Sequence, residues 1–70
     1  MKMIVTIRHR SQGESDSHAS WAVDPWQVDS TLEGIANVIA QGGLYILDQG
    51  EGRKYCVPGR HIFLVEVTDA

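Results

Sequence analysis

Only one stretch of this chain carries the signals of a helix, and nearly everything around it reads as strand. One helix must therefore serve the whole core. Asp24-Pro25-Trp26-Gln27 offers an acidic N-cap, a proline at the first helical position and a glutamine at the third. Ser30-Thr31-Leu32-Glu33 repeats the signal as a full capping box, and is taken as the main helix start with the first as a preparatory turn. Leu32, Ile35, Ala36 and Ile39 then follow the spacing of a buried stripe, and Gly42-Gly43 supplies a left-handed stop.

The strands read by their alternation. Over residues 1–10, Met3, Val5, Ile7 and His9 fall on one face and Ile4, Thr6, Arg8 and Arg10 on the other. Ser11 to His18 has no large apolar side chain and is expected to be an exposed loop, with Ala19–Val23 as the second strand. Leu44–Asp48 and Arg53–Val57 flank the glycine-containing turn Gln49-Gly50-Glu51-Gly52, a hairpin signature. Pro58-Gly59 breaks the second of these strands, and Ile62–Val67 closes the sheet. The predicted fold is α+β, a single domain over residues 1–70 in the order β-β-α-β-β-β, with a mostly antiparallel sheet and one helix on one face.

That order creates a surplus. With one helix, each strand should be apolar on one side only. Yet Phe63, Val65 and Val67 alternate with Ile62 and Leu64, and Tyr45 and Leu47 with Leu44 and Ile46. Of the 70 residues 43% are apolar, more than one helix and one sheet face can hide. A second chain is expected to complete the core, through a surface containing Tyr45, Ile46, Ile62 and Leu64.

Charge and chemistry narrow the function classes. The net charge of −3, from 9 acidic and 6 basic residues, disfavours binding to a phosphate backbone. No apolar run approaches the ~20 residues that span a bilayer, so no membrane partner is expected and the chain reads as cytoplasmic. The single cysteine, Cys56, lies between Tyr55 and Val57 and reads as a buried, inert thiol. Pairing with His61 across the Pro58-Gly59 turn lacks an orienting third group. Asp16, His18 and His9 would make a metal site only if the loop folded back onto the first strand. The glycines around Glu51 lack the following helix that a phosphate loop needs. No catalytic residue, metal ligand or cofactor is assigned.

The C-terminal motifs carry two resemblances. Leu44–Asp48, Gly52-Arg53-Lys54-Tyr55-Cys56-Val57-Pro58 and Ile62–Val67, preceded by a helix, resemble a family of short uncharacterised actinobacterial proteins. Those proteins share a strand, a hairpin, a V-P turn and a closing strand, and the likeness implies a fold without an activity. Pro58-Gly59-Arg60-His61-Ile62-Phe63-Leu64-Val65 is similar to the second motif of Sm-like RNA-binding proteins, although there the helix precedes all the strands. That likeness implies RNA contacts at Arg60 and His61, and the one basic cluster adds Arg8 and Arg10. The leading expectation is a non-enzymatic interaction module that pairs with itself and modulates another protein, a pattern common among small bacterial accessory and phage proteins. An RNA-binding module is the alternative.

Overall fold

A computed structural model describes residues 1–10 and 15–70. The chain runs β1 (Met3–His9), β2 (Ser17–Val23), a 3₁₀ turn (Pro25–Gln27), α1 (Val28–Gln41), β3 (Leu44–Gly50), β4 (Arg53–Pro58), a second 3₁₀ turn (Gly59–His61) and β5 (Ile62–Asp69). The α+β class and the element order are those the sequence predicts. The strands divide into two antiparallel sheets: β1 lies between β2 and β5, and β3 pairs with β4 as a separate hairpin.

Register decides which side chains face inward. Val5 stands opposite Trp21 and Val67, and Ile7 opposite Ala19 and Val65. Val5, Ile7, Val23 and Ile35 form the buried cluster, and Trp21, Val28, Tyr45, Ile62, Val65 and Val67 pack against it. Each fully buried aliphatic side chain contributes about 2 kcal/mol. Two layers thus enclose the core, the three-stranded sheet on one side and α1 with the hairpin on the other. Tyr45 of β3 tilts over Trp21 of β2 with ring centroids 5.8 Å apart. Tyr55 of β4 meets His9 of β1 edge-on, and its hydroxyl lies 2.8 Å from His9 Nε2. An isolated two-stranded hairpin is marginal in water, and these aromatic contacts help seat this one on the sheet.

The helix starts earlier than its second capping signal. Pro25–Gln27 runs straight into Val28, and Gln27 Oε1 accepts from the Asp24 backbone N–H at 3.0 Å. The first signal is the one used. Ser30 therefore lies inside the first turn of α1, where its hydroxyl donates back to the Gln27 carbonyl at 3.0 Å. The stop is as expected: Gly42 has φ 74°, and Gly42 and Gly43 both donate to the Val38 carbonyl. The inward stripe is rotated from the predicted one. Ile35 is buried and Val28 packs on the core, whereas Ala36 and Ile39 are exposed.

Gly59 joins helix to sheet. A Cβ built there would stand 2.5 Å from the Val38 carbonyl oxygen and 3.0 Å from Ile39 Cα, while its own N–H donates to the Gly43 carbonyl at 2.8 Å. The sequence marks Gly59 only as a turn residue; in the fold it is the point where two backbones touch. Gly34, inside the helix, has only Tyr45 Cε1 near its Cβ position, at 4.0 Å.

A bulge corrects the face assignment of the last strand. Between Arg8 and His9 the partner in β5 jumps from Leu64 to Ile62, which leaves Phe63 as the extra residue. Ile62 and Val65 consequently both turn toward the core, although three positions separate them. Phe63 is pushed out, 49% exposed, with the Arg10 guanidinium 4.9 Å above its ring.

Candidate functional site

Part of the apolar surplus ends up on the hairpin, and the rest is exposed at Trp26, Ile39, Phe63 and Leu64. Tyr45 and Leu47 of β3 stand opposite Val57 and Tyr55 of β4, and these four alternate positions are buried or half-buried. The intervening pairs, Leu44 with Pro58 and Ile46 with Cys56, belong to the other face. Leu44 and Ile46 are each 55% exposed and Cys56 is exposed, so the expectation of a buried thiol is corrected. Its physical reason is parity: Lys54 and Cys56 share a face that lies away from the core. Gly59 follows Pro58 and touches the backbone of Ile39, itself 42% exposed. Toward the turn the stripe ends at Asp48 and Lys54, whose charged groups are 3.7 Å apart.

The outer face of the three-stranded sheet is different in character. Thr6 and Ser20 hydroxyls lie 2.9 Å apart across β1 and β2, and Arg8 Nε donates to Glu66 Oε1 at 2.7 Å across β1 and β5. Leu64, 45% exposed, stands opposite Arg8 on this face. The four residues expected to share a surface are thus divided. Ile46 lies on the open hairpin face, Leu64 on the polar outer face, and Tyr45 and Ile62 pack on the core. Burial also raises the Tyr45 hydroxyl pKa above its ordinary value.

The basic residues gather only in part. Arg10 N–H donates to the His61 carbonyl at 2.9 Å, bringing the end of β1 to the turn that holds Arg60. Arg10 is in turn held by Asp16, Nε to Oδ1 at 2.5 Å, which raises its pKa, and Arg8 is held by Glu66. A phosphate would therefore compete with a carboxylate at both guanidiniums. His9, Asp16 and His18 do not converge: His9 turns to Tyr55, Asp16 to Arg10, and His18 stands opposite Arg8 on the outer face. Among the described residues no three His, Cys, Asp or Glu side chains come together. Ser17 and His18 belong to β2 rather than to the loop expected over 11–18, and residues 11–14 of that loop lie outside the described residues.

No concave pocket opens among the described residues, and no helix among them is long and apolar enough to cross a membrane. Three positions were missed by sequence reasoning: Leu44 and Cys56 on the hairpin, and Phe63 at the bulge. Strand parity alone, taken from Lys54 and Asp48, points to the first two; the sequence carries no signal for the bulge. No protein-family model, curated protein or solved structure matches this chain.

Proposed function

We propose that this chain is a small, non-enzymatic protein–protein interaction module of the cytoplasm, which associates with itself and acts by binding and modulating another protein. The observation that carries the reading is the apolar surface exposed among the described residues, including Leu44 and Ile46, each more than half exposed on one face of a strand. Contiguous surface of this kind is characteristic of interaction sites. That no concave pocket opens among the described residues supports recognition of a macromolecular face over that of a small substrate, which needs a concavity lined by convergent polar groups. Arg8 and Arg10, bound to carboxylates, weigh against an RNA contact.

Light scattering on the purified chain, combined with affinity capture from its native host, tests the proposal. A mass above that of the 7.8 kDa monomer, together with a captured protein that binds saturably when purified, is the expected result. A chain that stays monomeric at all concentrations and captures nothing refutes it. Salt-sensitive binding of single-stranded RNA, weakened by Arg60→Ala, would favour the RNA alternative instead.

A further inference from the structure

We infer that a second copy of this chain adds to the free edge of β2, joining the two three-stranded sheets into one about a two-fold axis at Ser20. The pairing rests on the self-association proposed above, and it leaves the Leu44–Ile46 face of the hairpin to the other protein.

β2 is an open edge. It lies outside β1 in the sheet, and no second strand pairs with it. Among the described residues, no backbone hydrogen bond outside the helices and ladders involves Ser17–Val23. In an antiparallel ladder every second residue turns its N–H and C=O away from its neighbour, so β2 presents a row of donors and acceptors.

The edges of β3, β4 and β5 are blunted. β5 carries the bulge at Phe63 together with Glu66 and Asp69. β3 carries Asp48 and a register shift before Gly50, and β4 carries Arg53, Lys54 and Pro58. A bulge, a charge or a proline each hinders the addition of a further strand. β2 has none of them: Ser17–Val23 holds no Asp, Glu, Lys, Arg or Pro, and it pairs with β1 from end to end without a shift.

A different protein's strand would be recognised through pockets for its alternate side chains, because main-chain bonds alone select no sequence. No concave pocket opens among the described residues, and the outward row of β2 is only His18, Ser20 and Ala22. A second copy needs no pocket, since the strand complements itself. The two cores stay on one side of the joint sheet only if the axis passes through a residue. Ser20 is the centre of β2, and an axis there pairs every position of the strand. Ala19 then faces the partner's Trp21, a small side chain beside a large one on the row that packs on the core. His18 faces the partner's Ala22, so the histidines stay apart, and no formal charge meets its like at the seam. The blunted β5 edges end the joint sheet, so the assembly closes as a dimer.

A charge exchange at Ser20, read by sedimentation equilibrium over a wide concentration range, tests the pairing. Ser20 is exposed, and its hydroxyl lies 2.9 Å from that of Thr6. The unaltered chain is expected to pass from monomer to dimer. Ser20→Lys and Ser20→Glu each set like charges across the axis, and each is expected to weaken the dimer about tenfold. Mixed in equal amounts, the two variants are expected to regain the parental strength. Ile46→Asp, on the hairpin face, should leave the dimer unchanged. Hydrogen exchange gives a reading free of any substitution: amides of β2 should slow about tenfold between monomeric and dimeric concentrations, and those of β5 should not. Variants that stay weak when mixed overturn the axis at Ser20. A dimer dissociated by Ile46→Asp, indifferent to both Ser20 variants and with β2 amides unprotected, overturns the edge while leaving self-association standing. A chain that is monomeric throughout overturns both. Protection of β2 that appears only when a different purified protein is added overturns the second copy as occupant.

Discussion

Gly59→Ala puts the contact between helix and sheet to a direct test. The new methyl group would stand 2.5 Å from the Val38 carbonyl oxygen, 2.8 Å from its carbon and 3.0 Å from Ile39 Cα. All three are backbone atoms of the last turns of α1, so no side chain can rotate out of the way. Ordinary contact begins at about 3.5 Å, so the helix end or the Pro58–His61 turn must shift by up to about 1 Å. Either movement strains the Gly59–Gly43 hydrogen bond and loosens the packing of Val57, which is fully buried one strand position before Pro58. Overpacking of this kind costs about 3 kcal/mol, and a weakened backbone hydrogen bond adds up to about 1 kcal/mol. Against this, alanine restricts the unfolded chain and returns about 0.5–1 kcal/mol. A net loss of about 3 kcal/mol is expected, a fall in Tm of roughly 15 °C for a domain of this size. Urea denaturation and thermal melting followed by circular dichroism both report it, and they should be run beside Gly34→Ala. At Gly34 the nearest atom is Tyr45 Cε1 at 4.0 Å, an ordinary contact, so that substitution should gain up to about 1 kcal/mol of helix propensity. A Gly59→Ala chain as stable as the parent would refute the close approach and, with it, the assigned seat of the helix.

Two further substitutions probe local conformation and ionisation. Glu51 holds φ 54° between Gly50 and Gly52, so a residue with a side chain occupies the left-handed region; Glu51→Asn relieves that cost and should raise ΔG of unfolding by about 0.5–1 kcal/mol in urea melts. Tyr45 is half-buried, and desolvation raises its pKa above the ordinary 10.0. The stability it supports is complete below that ordinary value and is lost as pH climbs toward the folded value, because the unfolded chain releases the proton first. Tyr45→Phe should therefore flatten the loss of stability above about pH 10 relative to the parent.

The helix and strands were legible because their signals are local. Gly42 ends α1 where a left-handed residue is needed, and the Gly50–Gly52 segment turns the hairpin where three consecutive positive φ angles occur. The start of α1 was misplaced because two capping signals stand six residues apart and each is adequate alone. Only the continuity of Pro25–Gln27 into Val28 decides between them. Gly59 was legible as a turn but not as a contact. Its partner, the Val38 carbonyl, lies 21 positions earlier in the sequence, and nothing local announces so close an approach. Cys56 was misread for the opposite reason. Its immediate neighbours Tyr55 and Val57 are apolar, but they occupy the other face of the strand, and the informative positions were Lys54 and Ile46.

The two strands that looked apolar on both sides resolve in different ways, and the difference bears on function. In β5 the bulge at Phe63 lets Ile62 and Val65 share the inward face, sends Phe63 beneath Arg10, and leaves Leu64 among the Thr6, Arg8 and Glu66 side chains of a polar sheet face. Part of the surplus is thus absorbed within the chain. The β3–β4 ladder stays regular from Leu44 to Asp48, so parity fixes Leu44 and Ile46 outward as firmly as it fixes Tyr45 and Leu47 inward. Turning the hairpin over would bury Asp48 and Lys54 and expose Tyr45 and Val57, so inverting it does not hide both faces. Thr6 or Ser20 shows what selection for a solvated sheet face looks like in this molecule, and the hairpin face does not have that composition. Leu44 and Ile46 stay exposed on it, and they are the side chains that the proposed association would cover.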